Sequence, residues 1–244
     1  MRDLMVSDIH SHMIYDVDDG SDNFEMTKSM IRMSINEGCR HIFMTPHSGA
    51  LTGKNKIIKK FQTIREWIET EELEIEIYLG SEIYVDNDEH EESIKSIIKN
   101  LKKGKYYTLN NTRYVLIEFY LGGFTFEEIA PMVAALLEEG YIPVIAHAER
   151  YGVSFETLYK LKSMGCMIQI NLSNVYFIYR HDVVEMANRL LREEMVDFVG
   201  TDAHGIDRRK PEIRTFAEYL YKEYPEKYID DILIGNAVKY LRGI

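Results

Sequence analysis

Seven times along a chain of 244 residues, a short apolar run gives way to a segment whose apolar residues recur at helical spacing. The runs are Leu4-Met5-Val6, Ile42-Phe43-Met44, 74–79, 114–117, 142–146, 167–170 and 196–199. Strands that alternate with helices predict a parallel sheet, because each helix carries the chain back to the starting end. The number of units favours an α/β fold closed into a TIM-like barrel, as one domain over 1–244. An open doubly wound sheet is the alternative, but its Gly-rich dinucleotide fingerprint is absent.

Local signals punctuate this pattern. Ser21-Asp22 is expected to cap the first helix and Gly38 to end it. A charged helix follows over about Lys56 to Thr70, and 86–105 reads as acidic, then helical, then basic. Thr125 and Glu128 form a capping-box pattern, with Pro131 expected to delay the regular helix by a turn. Helices over 211–223 and 228–241 close the chain. The polar stretch from Ser48 to Asn55 is a loop able to cover a site, but Gly49 and Gly53 are too closely spaced for a phosphate loop.

Composition narrows the function. A formal net charge of -11 disfavours a general nucleic-acid binder, since most of the surface repels phosphate. No apolar run approaches the ~20 residues of a membrane span, and the N-terminus lacks the segment order of a signal peptide, so a cytoplasmic, non-membrane protein is expected. Cys39 and Cys166 each follow a glycine at a helix-to-strand junction and read as small core residues.

The polar residues at the strand ends are His10, His12, His47, Glu82, Glu118, His147, Asp202 and His204. Barrel enzymes carry their chemistry at these ends. Five of the eight histidines are in this set. Carboxylates crowded there repel one another unless cations neutralise them, so a multinuclear metal site is expected. Donors that are all nitrogen and oxygen suit Mn, Fe or Zn, and Glu82 is placed to bridge. Such metals turn a captured water into hydroxide for in-line attack on phosphorus. Arg150 and Arg209 are the cations nearest in sequence to ligand-bearing strand ends, able to grip phosphate oxygens, with Arg208 as the competing choice. A cysteine phosphatase is excluded because Thr45 and Leu172, not arginines, stand six positions beyond the cysteines, and the serine-hydrolase elbow is absent.

The segments Asp8-Ile9-His10-Ser11-His12, Asp18-Asp19-Gly20, Thr45-Pro46-His47, 80–84, 116–119, His147-Ala148-Glu149-Arg150-Tyr151 and Asp202-Ala203-His204 resemble, in order, the PHP (polymerase and histidinol phosphatase) superfamily. More narrowly, they resemble the manganese-dependent protein-tyrosine phosphatases of bacterial capsule and exopolysaccharide operons. The resemblance implies a distorted (β/α)7 barrel with a three-metal site. It implies that His10, His12, Glu82 and Asp202 hold one ion, that Glu82, Glu118 and His147 hold a second, and that His47, His204 and Asp19 hold the third. Asp18 is the second choice for that last ligand. Arg150 and Arg209 match the phosphate-binding arginines, and the implied substrate is the phosphotyrosine tail of a tyrosine autokinase of polysaccharide synthesis. Mn2+ is the expected cofactor, in two or three copies, with Fe or Zn as alternatives. Ser48-Gly49 departs from the family pattern after His47.

The expected activity is therefore hydrolysis of protein phosphotyrosine. A small-molecule phosphoesterase of histidinol-phosphatase type and a metal-binding scaffold or sensor are the alternatives. Tyr84, Phe119, Tyr120, Phe124 and Tyr151 lie near the mouth in sequence as candidates to flank a phenyl ring, with barrel packing competing for at least half of them. Homo-oligomerisation is left open.

Overall fold

In the computed structural model, which describes residues 4–49, 54–85, 90–176 and 180–242, the strands are β1 (Val6–Ser11), β2 (Cys39–Met44), β3 (Glu76–Leu79), β4 (Glu82–Tyr84), β5 (Tyr114–Glu118), β6 (Ile142–Ile145), β7 (Met167–Asn171) and β8 (Phe198–Gly200). Every pairing among them is parallel. Helices α1 (Phe24–Asn36), α2 (Lys54–Thr70), α3 (His90–Lys102), α4 (Phe126–Glu138), α5 (Phe155–Met164), α6 (His181–Arg192) and α7 (Arg214–Glu223) follow the strands. Short helices α8 (Glu226–Asp230) and α9 (Asn236–Tyr240) are joined by a π turn over Asp231–Gly235. No helix among the described residues is long and apolar enough to cross a membrane.

Eight strands fill seven barrel positions. β3 pairs with β2 and β4 with β5, so the single strand expected over 74–79 is instead a bent one that breaks at Gly80-Ser81. Two joins close the ring. Asp202 N–H donates to His10 O (2.8 Å) and His12 N–H to Ala203 O (2.9 Å), while Glu82 N–H reaches Pro46 O (3.1 Å). The distorted seven-position barrel is thus present.

The strands sort their side chains by parity. Val115, Ile117, Ile145, Ile168 and Ile170 pack outward under the helices. Leu116, Val144, Ala146, Phe198, Ile9 and Phe43 form a separate inner layer, sealed from below by Leu109, Ala237 and Leu241. Moving up the inward rows, apolar residues give way to Glu118 on β5, Gln169 and Asn171 on β7, and Asp202 after β8. The barrel is therefore dry at its base and ionisable at its mouth.

Several local expectations change. β1 runs on through Ser11, so His10 lies inside the strand rather than past it. A register irregularity between Asp8 and Ser11 lets neighbouring Ile9 and His10 both serve the interior, which hides the strand from a period-two reading. Asn23, not Ser21-Asp22, caps α1, accepting from Met26 N–H. Pro131 sits inside α4 without delaying it, because the capping box of Thr125 and Glu128 already fixes the first turn. The terminal helix expected over 228–241 is interrupted by the π turn. Ser48 and Gly49 are described, whereas 50–53 of the expected covering loop and 86–89 of the acidic stretch lie outside the described residues. Cys39 and Cys166 are buried free thiols, as expected.

Asp8 welds the closing strands. Its Oδ1 accepts from Thr201 N–H (2.9 Å) and His10 N–H (3.2 Å), and its Oδ2 from the Thr201 hydroxyl (2.5 Å). Burial pushes its carboxyl up to about 6 despite these donors. Asp8→Ala orphans three buried donors and should lower unfolding stability by about 1–3 kcal/mol in urea titration. An unchanged midpoint would remove Asp8 from the closure.

Candidate metal centre

The eight strand-end residues and Asp19 meet at the barrel mouth. His10 and His12 point their Nε2 atoms at one spot, 3.3 Å apart. Glu82 Oε1 lies 3.2 Å from the first and Oε2 3.2 Å from the second, and Asp202 Oδ1 is 3.6 Å from each. Glu82 Oε1 is also 3.0 Å from His147 Nε2, which faces Glu118 Oε1 at 3.4 Å. On the other flank Asp19 Oδ1 lies 3.3 Å from His47 Nε2 and 3.4 Å from His204 Nε2, and His47 Nδ1 is 2.9 Å from Glu82 Oε2. Glu82 stands between all three groups.

Three sets could each hold a cation, with one donor atom per residue inside 4.8 Å: His12, Asp19, His47 and His204; His10, His12 and Asp202; His47, Glu82 and Glu118. The sets implied by resemblance differ in detail: His12 also reaches the Asp19 group, and His47 stands with Glu82 and Glu118 in the place expected of His147, which falls in none of the three sets although its Nε2 lies beside both carboxylates. His204 Nε2 is buried with no hydrogen-bond partner among the described residues, and the buried Glu82 Oε2 meets only the His47 and His12 ring nitrogens, at 2.9 and 3.2 Å, without a well-formed hydrogen bond. Buried polar atoms left bare in this way, facing an all-nitrogen and oxygen donor set, fit a hard or borderline divalent cation.

A supporting layer fixes the donors. His12 Nδ1–H donates to Asp18 Oδ2 (2.8 Å), and the two oxygens of Asp18 also accept from His47 N–H and Gly20 N–H (both 3.1 Å). Asp18 therefore orients, while Asp19 faces the cluster. Gly20 is required here, since a Cβ would stand 2.1 Å from His12 O. Gln169 Oε1 takes the His147 N–H (2.8 Å), so its oxygen is the acceptor that His10 Nδ1 meets at 3.1 Å. His204 Nδ1 faces the Asp202 carbonyl at 2.9 Å. Each partner assigns the proton to Nδ1 and leaves Nε2 for a cation. Gln169 Nε2 donates to Asn171 Oδ1 (3.0 Å), and Asn171 Nδ2 donates to Asp202 Oδ2 (3.0 Å). Glu149 Oε1, fully buried, accepts from Asn171 N–H (3.0 Å) and the Asn174 amide (2.6 Å).

The charged groups set one another's ionisation. Burial alone would raise Glu82 and Asp202, yet His10 and, for Asp202, Arg209 hold both carboxyls well below the usual range. Burial disfavours charge on His12 and His147, but Asp18 and Glu82 raise the first to about 10, and Glu118 and Glu82 the second to about 9. His204, buried beside the His12 charge, is pushed down to about 4. Protons on these imidazoles compete with cations for the same lone pairs.

Both arginines end on one carboxylate. Arg150 Nη1 reaches Asp202 Oδ2 at 3.2 Å and Arg209 Nη2 reaches Oδ1 at 2.6 Å, whereas Arg208 has no ion-pair partner among the described residues. His147, Asp202 and Arg209 have left-handed backbones, with φ of 32°, 52° and 48°. Non-glycine residues adopt that region at a cost, and such strain gathers at functional sites. Of the aromatic candidates, Phe119, Phe124 and Tyr151 pack on one another, and Tyr151 Oη accepts from Phe119 N–H (3.0 Å). Tyr84 and Tyr120 remain exposed, at 43% and 47%. Gln169 and Glu149 were not among the expected site residues. The readable signal was a polar side chain at every inward position near the end of the otherwise apolar Met-Ile-Gln-Ile-Asn strand.

Known proteins share this frame. The tyrosine-protein phosphatase CpsB of Streptococcus agalactiae is 31% identical over 247 residues, covering 97% of this chain and 98% of its own. The tyrosine-protein phosphatase YwqE of Bacillus subtilis is 27% identical over 246 residues, covering 97% and 91%. Among solved structures, one from a study of YwqE and Streptococcus pneumoniae CpsB, described as metal-dependent tyrosine phosphatases, superposes with a TM-score of 0.85 at 26% identity, covering 98% of this chain and 94% of that one. A family model described as capsular polysaccharide synthesis, CpsB/CapC, matches residues 6–242, and the chain belongs to that family.

Proposed function

We propose that this chain, acting as one domain over 1–244, is a metal-dependent protein-tyrosine phosphatase whose substrate is a cytoplasmic tyrosine autokinase of capsule or exopolysaccharide synthesis. The observation that carries the reading is the convergence of nine residues bearing nitrogen or oxygen donors, with Glu82 at their centre and two arginines at the edge of the same cluster. The printed activity of the similar CpsB and YwqE proteins supports it.

In this reading His10, His12, Glu82, Asp202, Glu118, His147, Asp19, His47 and His204 hold two or three Mn2+ ions, with Fe or Zn as the alternatives. Bound there, such ions would acidify a water and neutralise the charge of a phosphoryl group. The rest is the work of the chain itself. Arg150 and Arg209, both already drawn to Asp202, are placed to exchange that carboxylate for phosphate oxygens and to hold them in line. Gln169 and Asp18 keep the His10 and His12 rings from turning. Tyr84 and Tyr120, both exposed, are the aromatic residues to flank a phenyl group.

Chelation should abolish turnover of phosphotyrosine peptides and Mn2+ should restore it, with histidinol phosphate a poor substrate; activity on histidinol phosphate alone would overturn the assignment. Arg150→Ala or Arg209→Ala should each lower kcat/KM by about 10²–10³, the scale of losing one charge-stabilising donor. A normal kcat/KM would take that arginine out of the mechanism. Asp19→Ala should bind one fewer Mn2+ by elemental analysis, whereas Asp18→Ala should keep the stoichiometry and weaken affinity by about 10–100-fold. The reverse pattern would exchange their roles.

A further inference from the structure

A cavity of about 610 Å³ opens beside the cluster, bordered on the inner side by Arg150, Asp202 and Arg209. Its remaining cations are Arg180, Arg208 and Lys210. Five cations thus face three carboxylates, Asp202, Asp207 and Glu212, in a chain whose net charge is -11. The sign of this pocket is opposite to that of the molecule around it.

Two of its cations are only loosely committed. Arg180 pairs with Asp182 across an exposed contact of 2.6 Å, and exposed pairs of this kind contribute little. Arg208 has no ion-pair partner among the described residues, and the Ser173 hydroxyl on the same wall makes no hydrogen bond among them. Asn171 and Asn174, in contrast, are tied back to Asp202 and Glu149, so this wall is firm, whereas Arg180 is held only by its exposed fork to Asp182. A cavity this size is in the range of about 300–1,000 Å³ that takes whole small ligands, with room beyond one phosphoryl group.

Given the phosphatase reading, on which this rests, we infer that the cavity is a subsite for a second anion of the substrate chain, a carboxylate or another phosphate beside the reacting phosphotyrosine. Arg180 and Arg208 are its specificity-determining residues. They act through charge on the peptide and touch no reacting atom.

The test is fluorescence anisotropy of the Mn-loaded protein with peptides carrying a non-hydrolysable phosphonate analogue of phosphotyrosine. One peptide has Gln beside the phosphonate, one Glu, and one a second phosphonate. The Glu and doubly phosphonated peptides should bind about three- to tenfold tighter than the Gln peptide, as two or three partly exposed charge pairs would give. A larger gain for one of them identifies the anion preferred. The preference should fall with added salt. Arg180→Gln combined with Arg208→Gln should reduce it to less than about twofold, and the corresponding double Lys variant should keep most of it. Both side chains are solvent-facing, so an unchanged Tm is expected of each variant. Hydrolysis of p-nitrophenyl phosphate, which has no second anion, should keep its kcat/KM in both variants. Equal affinity for the three peptides, or a preference that survives in the double Gln variant, would overturn the subsite. Failure of the unsubstituted Mn-loaded protein to hydrolyse p-nitrophenyl phosphate would overturn the phosphatase reading, whereas hydrolysis with no anion preference would overturn the subsite alone.

Discussion

The backbone bonds between β1 and the segment after β8 are what the rest of this molecule depends on. Residues 10–12 and 202–204 lie near opposite ends of the barrel sequence, yet Asp202 N–H on His10 O and His12 N–H on Ala203 O bring them side by side. Asp8 and Thr201 repeat the join with side chains one turn of the pleat below. Gly200 shows how close the strands approach, because a Cβ there would stand 2.6 Å from the Cβ of His10. Without closure His10 and His12 would keep their strand but lose Asp202 and His204. Non-local closure of this kind is entropically costly, and a buried charged bond at the seam is consistent with that demand.

Closure also explains how so many ionisable groups share one cup. An inner apolar layer of Ile9, Leu116, Val144 and Phe198 lies directly beneath them and keeps water from entering from the base. Interactions between charges are therefore strong above it, in both directions. Glu82 and Asp202 stay ionised only because His10, His12, His147 and Arg209 surround them, and His204 is driven neutral by the same crowding. No single pair is stable alone; each group is stabilised by the set. A cation entering such a cup would compete with protons for the same nitrogen and oxygen atoms, which already converge before it binds.

The sequence made the barrel and the ligand roster legible for a physical reason. Apolar runs of three to six residues were followed at six of the seven strand ends by His, Glu or Asp, the exception being Asn171, and those ends necessarily gather at one pole of a parallel barrel. His10, His12, His47, Glu82, Glu118, His147, Asp202 and His204 were all readable this way. Asp19 was readable only through family resemblance, since it lies in a loop and not at a strand end. What escaped was whatever depends on three-dimensional register. The bulge that returns His10 to the interior next to Ile9 breaks the alternation on which strand reading relies. The kink that splits β3 from β4 sits at Gly80-Ser81, an ordinary turn pair in one dimension. Pro131 read as a delay because propensity sees a lost donor, while the capping box of Thr125 and Glu128 outweighs it.

Gln169 shows best why such a site is built from neutral as well as charged residues. Its amide oxygen receives the His147 backbone N–H and meets the His10 ring, and its amide nitrogen continues through Asn171 to Asp202. A carboxylate at 169 would add a further negative charge to an already crowded cup and could not donate to Asn171. A leucine would fill the space and leave two donors unpaired. An amide on this long side chain accepts from one side and donates to the other without changing the charge count. The same logic applies to Glu149, buried behind Asn171, where a single shared oxygen fixes Asn171 and Asn174 together. Ligand geometry in this barrel is therefore set one layer behind the ligands, by residues whose hydrogen-bonding valence, not their charge, determines which side chain the position accepts.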